Sequence, residues 1–272
     1  LTRQTLTSAV SRYRIRGCRN YRSDKYSELA KEYTVNQPSA LQPVAIVTAG
    51  GRGIGAAIAL ELHSRGFRLA LMSPSGSAER LAAELNGIGI RGKVEDGDDL
   101  KQLVDGTLNQ FGRIDAVVNH TGHPPKGDLI EIADQDWTHG HSMILLPVVR
   151  MARLVTPIML SQGRGTFVNI TTFASFEPSL TFPVSCAYRA AVGTYTKLYA
   201  TRYAKQGIRM NALLPGYINS LDHKPDTVSK IPMGRIGTVE EIAKTTAFLL
   251  SDDAAYITGQ NIRVDGGLTH HV

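Results

Sequence analysis

Val44-Ala-Ile-Val-Thr48 runs straight into Ala49-Gly-Gly-Arg-Gly-Ile-Gly55, and an Ala- and Leu-rich stretch then continues to Arg65. The β-branched run reads as a buried strand, the glycines as a tight turn, and the segment after them as a helix. A glycine turn in that position lets backbone approach a pyrophosphate, and the following helix presents free N–H groups and a partial positive charge to it. The spacing Gly51-x-Gly53-x-Gly55 also serves plain strand-to-helix packing, so its place directly after a first strand is what gives it weight.

The same alternation continues outward from this stretch. Arg68–Met72, Ile88–Ile90, Ile114–Val118, Thr166–Ile170, Ile208–Leu213 and Ile262–Val264 read as short apolar strands. Between them lie helical patterns over Ser77–Leu85, Asp98–Phe111, Asp134 to about Leu160 and Ser185–Gln206, and Thr238 opens another, with Glu241 completing a capping box. Apolar strands alternating with helices require right-handed crossovers and a parallel sheet covered on both faces. The fold class is therefore α/β, one doubly wound domain of about seven strands over 43–272.

Residues 1–42 differ in composition. They carry eight Lys/Arg against three acids, or +5, whereas 43–272 holds 22 basic and 21 acidic residues. The net charge of +6 is thus mostly that of a basic extension, read as flexible, and gives no argument for nucleic-acid binding. The leading reading of residues 1–23 is an untargeted extension of a cytoplasmic protein; rich in Arg, Ser and Thr and free of acid, they also have the composition of an organelle transit peptide, the alternative. Ser23–Tyr33 has helical spacing. No apolar run approaches the roughly 18 residues of a membrane span. Two cysteines, Cys18 and Cys186, exclude a disulfide framework. His120, His123, His139 and His141 cluster by sequence, but the last two point to different helix faces, and no metal site is expected.

Five segments in order give the chain a resemblance to the short-chain dehydrogenase/reductase family over essentially all of 43–272. Thr48–Gly55 is similar to its TGxxxGxG turn, with Ala49 for the first glycine, and Asn119-His120-Thr121-Gly122 to its NNAG. Ile208-Arg-Met-Asn211 leading to Pro215-Gly216 resembles IRVN…PG, and Tyr256–Gln260 and Val264–Gly267 resemble the C-terminal YITGQ and VDGG. The resemblance implies a Rossmann-type fold and a nicotinamide cofactor. It would be held by Thr48, Gly50, Gly51, Arg52, Gly53, Ile54, Gly55, Ser73, Asn119, His120, Gly122, Arg189, Pro215, Gly216, Ile218 and Ser220. It also implies a homo-oligomer, tetramer or dimer, built on the helices near 134–160 and 185–206, where Tyr188, Tyr195, Tyr199, Tyr203 and Leu198 form an apolar stripe.

The family's chemistry exchanges a proton through a Tyr whose pKa a Lys four residues on lowers from about 10, with a Ser and an Asn upstream. Those positions fall here on Ser185, Arg189, Thr172 and Ile144. Serine is a far weaker acid than a phenol, and Arg stays protonated, so a rearranged donor is expected: a water, or Tyr188 on the same helix. The second strand ends in Ser73-Pro74-Ser75 without the carboxylate that reads the NAD ribose, and Arg52 sits in the glycine turn, which favours NADP(H) over NAD(H). The expectation is an oxidoreductase acting on a small alcohol or carbonyl compound. Two alternatives stand beside it: a nucleotide-binding protein without catalysis, acting as a sensor or assembly subunit, and a lyase like the halohydrin dehalogenases. The dehalogenases share the Arg but lose the glycine turn kept here.

Overall fold

A computed structural model describes residues 42–270; the basic extension up to residue 41, and with it the helix expected over Ser23–Tyr33, lies outside them. Seven strands form one all-parallel sheet in the order β3-β2-β1-β4-β5-β6-β7. They are β1 (Val44–Thr48), β2 (Arg68–Ser73), β3 (Ile88–Arg91), β4 (Ala116–Asn119), β5 (Gly165–Ile170), β6 (Ile208–Pro215) and β7 (Asn261–Val264). The helices between them are α1 (Gly53–Ser64), α2 (Ser77–Glu84), α3 (Gly97–Phe111), α4 (Asp134–Gly140), α5 (Leu146–Gln162), α6 (Pro183–Tyr203) and α7 (Val239–Leu250).

Period-two alternation sorts the core into two layers. Ala45 and Val47 of β1 and Leu69 and Leu71 of β2 meet Ile58, Leu62 and Ile242 of α1 and α7. Their neighbours Ile46, Ala70 and Met72 face Leu100, Leu103, Met151, Val155 and Tyr199 of α3, α5 and α6 on the other side. The order reverses between β1 and β4, and the carboxyl ends of those two strands open a crevice there.

Three details depart from the sequence reading. The fourth strand begins at Ala116, because the Ile114 N–H is taken by the Gln162 side chain at 3.0 Å. The long helix expected from Asp134 is continuous to Gln162 but contains a π-helical turn, His141–Leu145, which places the buried Ile144 in the wider turn. That helix is long and apolar enough to cross a membrane by length and composition, but Met151, Val155 and Met159 are fully buried against the sheet, as in a core helix. The tyrosine stripe is the third correction. Tyr199 is buried edge-on against Phe167 and hydrogen-bonds Thr156 at 2.5 Å, and Tyr195 and Tyr203 pack into the same layer. The outward face of α6 is instead Ala187, Ala190, Thr194, Lys197, Leu198, Thr201 and Arg202.

Candidate functional site

The crevice is built first by its backbone. Thr48, the last residue of β1, donates its hydroxyl to the His120 carbonyl at 2.7 Å and accepts the His120 N–H at 2.9 Å, which locks the ends of β1 and β4 together. Ala49 then takes a left-handed φ of +47°, and the Gly50 N–H returns to the Met72 carbonyl of β2 at 3.0 Å. Gly51 and Gly55 are fixed by close packing: a Cβ there would lie 2.1 Å from the Ser77 hydroxyl and from the Ala49 carbonyl, respectively. Gly53 has a φ of +51° and faces the crevice, with only Ser220 close to where its Cβ would be. α1 begins there with no side-chain cap and no acid in its first turn. Its first N–H groups and the positive end of its dipole are therefore left for an anion.

The crevice is about 630 Å³. Arg52, Gly53 and Ile54 line it at the glycine turn, His120 and Gly122 beyond β4, and Pro215, Gly216, Ile218 and Ser220 beyond β6. Thr172, Ser185 and Arg189 line it from β5 and α6. Gly50, Gly51 and Gly55 lie in the turn that shapes it, and Asn119 is buried behind it. Ser73 is engaged elsewhere: its hydroxyl accepts the Ala78 N–H at 3.0 Å at the start of α2. Tyr188 stands outside the crevice lining, edge-on to Trp137 at 6.1 Å between rings and beside His141 at 5.8 Å.

Arg189 does something the spacing did not show. It is buried, and its guanidinium donates to the carbonyls of Ile170 (2.8 Å), Thr171 (3.4 Å) and Gly122 (3.0 Å), while Nε donates to the Ser185 hydroxyl (3.2 Å). This side chain thus clamps the loops after β4 and β5 onto α6. Burial lowers its pKa to about 10, which still leaves it charged at neutral pH. The charge is neutralised by carbonyl dipoles alone, with no carboxylate in ion-pair contact among the described residues.

That cation sets the electrostatics of the site. Burial first, then the Arg189 charge, push the His120 imidazole down to about 4, against a backbone hydrogen bond at Ala49. His123 is lowered by the same two causes and by Lys126. Of the fixed charges lining the crevice, Arg52, Lys126 and Arg189 are cationic and only Asp222 is anionic, a balance that suits an anionic ligand. His123, Lys126, Phe173, Phe182, Tyr217 and His223 also line it. Phe173 opens a 3-10 turn, Phe173–Ser175, and the others stand on irregular loops, where no periodicity could have marked them.

The comparisons agree with this architecture. A family model described as enoyl-(acyl carrier protein) reductase matches residues 48–269. The chain is 35% identical over 238 residues to the 3-oxoacyl-[acyl-carrier-protein] reductase FabG of Staphylococcus epidermidis, covering 82% of this chain and 98% of the relative. The 3-oxoacyl-[acyl-carrier-protein] reductase of Synechocystis is also 35% identical, over 83% of this chain and 96% of its own length. The FabG of Haemophilus influenzae is 33% identical over 83% of this chain and 97% of its own length.

Proposed function

This chain belongs to the short-chain dehydrogenase/reductase family of oxidoreductases, and on that premise we propose that it works with NADP(H) on a small alcohol or carbonyl compound, using a proton donor other than the family's tyrosine. The observation that carries the reading is the uncapped start of α1 under a glycine turn whose only open glycine, Gly53, faces the crevice. The residues present fit a dinucleotide. The first N–H groups of α1 would hold its pyrophosphate, and Pro215, Gly216, Ile218 and Ser220 would line its nicotinamide half. A bound nicotinamide supplies or removes hydride.

The chain's own groups do the rest. Arg52 is exposed at the turn with no ion pair among the described residues, and Arg91 lies beside Ser73 in the β2–β3 register. Arg91 is paired with Glu79 at 3.2 Å, so the free cation Arg52 and the want of a carboxylate on the last residues of β2 itself are what support a 2′-phosphate, hence NADP(H). Thr172 and Ser185 offer hydroxyls to a carbonyl oxygen, and Arg189 holds the end of β5 that leads to Thr172 and donates to the Ser185 hydroxyl on α6. The names of the relatives make a 3-oxoacyl thioester the first carbonyl to try.

NADPH absorbance followed over a panel of 3-oxoacyl thioesters and activated ketones tests this. Turnover is expected, better with NADPH than NADH by about tenfold, the value of one charge-assisted contact. No substrate-linked loss of absorbance across the panel overturns it. The replacement of Tyr and Lys by Ser185 and Arg189 favours a second reading, nucleotide binding without catalysis, for which NADPH would bind and never turn over.

A further inference from the structure

Behind the crevice lies a cavity of about 20 Å³, room for one water. Crevice and cavity share His120 and Arg189, so the imidazole and the guanidinium stand in the wall between them. Two buried acceptors in that wall, Nδ1 of His120 and Oδ1 of Asn119, have no partner among the described residues. The orientation of Asn119 is fixed from behind. Its Nδ2 donates to Asn169 Oδ1 at 2.8 Å, Asn169 Nδ2 donates to the Thr196 hydroxyl at 2.9 Å, and that hydroxyl donates to the Val192 carbonyl at 2.8 Å. The Asn119 carbonyl oxygen is therefore the end left facing the cavity.

An arginine carries five N–H donors, and the four contacts of Arg189 leave one unused. Two acceptors and one donor around a one-water void match a water that donates twice and accepts once. Such a water also serves a protonated ring. It turns to accept from Nδ1–H as well as from Arg189 and keeps its donation to Asn119. A fixed carbonyl or amide in that place would suit only one state of the ring.

We propose that His120, Asn119 and Arg189 form a site for one internal water, and that this site makes His120 the group that takes up a proton when an anionic nucleotide fills the crevice. The proposal rests on the nucleotide-binding reading above. The groups facing the ring explain the direction of the coupling. Arg189 from α6 and His123 from the loop after β4 oppose its protonation, and Lys126 in the same loop opposes that of His123. β1, the π-helical turn and β5 contribute only Thr48, Met143, Ile144, Asn169, Ile170 and Thr171 to the cavity wall, and Asp222 is the one acid in the crevice. Phosphates bound at the start of α1 offset the cations and raise the ring's proton affinity. Linkage then requires NADP+ to bind more tightly as pH falls through the interval between the free and bound pKa values, by up to about tenfold per unit.

Calorimetric titration of the full chain with NADP+ between pH 5 and 8, in buffers of different ionisation enthalpy, tests the coupling. Wild type is expected to take up more protons near pH 5.5 than the ligand's own phosphate accounts for. H120Q keeps a polar side chain that cannot titrate, and should lose the excess and flatten the pH slope of affinity. The 15N resonances of the wild-type imidazole should titrate at higher pH with NADP+ bound than without it, a readout independent of the variant's folding. Proton uptake no greater than the ligand's own, an unmoved imidazole, or a pH slope retained in H120Q overturns the coupling while leaving nucleotide binding intact. Failure of NADP+ to bind at all overturns both.

Discussion

Ala49 shows how much one residue can depart from a pattern at small cost. A left-handed φ of +47° disfavours a side chain, and glycine would take it freely. Ala49→Gly is expected to raise stability by about 0.5–1 kcal/mol, the strain relieved less the extra entropy of an unfolded glycine, as read by chemical denaturation. Arg189 is the opposite case, because four contacts depend on it. Ser185→Tyr with Arg189→Lys restores a phenol beside an amine in the crevice, and the double variant should gain NADPH-linked reduction of activated ketones over either single one. Recovery stays partial, because Ile144 leaves the upstream Asn missing. The exchange also breaks the carbonyl clamp, so the double variant should melt earlier, by about 1–3 kcal/mol for the buried acceptors that lose a partner. Activity equal to wild type in both single and double variants would show that this register does not hold the proton donor.

At the scale of elements, the start of α1 is the feature on which binding turns. Gly53→Val adds a β-branched side chain at a φ of +51° on the crevice side, and nucleotide affinity by calorimetry should fall by about 100-fold or more, near 3 kcal/mol. Unchanged affinity would make the turn purely structural. This element was readable from the sequence, because strand, glycine turn and helix are contiguous and each has its own period. So was the start of α7, where Thr238 and Glu241 form the capping box their spacing announced. The π-helical turn was not readable: a helix with one wider turn keeps nearly the same apolar pattern as a regular one. The direction of the tyrosines was not readable either, since residues at i and i+4 define a stripe without saying whether core or solvent lies against it. The carbonyl clamp of Arg189 joins residues 18, 19 and 67 positions away, and no local pattern reports such a contact.

For the whole molecule, the outward face of α6 carries a stripe of Ala187, Ala190, Thr194 and Leu198, the last 64% exposed, with Lys197 and Arg202 beside it, while Leu160 on α5 is 42% exposed. Small residues at helical spacing around one large apolar side chain allow two helices to approach closely. The expectation is a homo-oligomer, tetramer or dimer, by light scattering at micromolar concentration, and a smaller species for Leu198→Glu. A monomeric wild type would refute it. The order of the strands has a further consequence, in time rather than in space. The centre of the sheet joins β1 to β4, and the Val44 N–H finds Asp115 across 71 residues of chain. Contacts of such separation form only after much loop entropy has been lost, so chains built on them fold slowly. The crevice opens at that joint and at no local unit of the fold. During refolding, NADPH fluorescence should therefore recover with the slowest phase, behind the return of helical signal: the nucleotide recognises only a finished molecule.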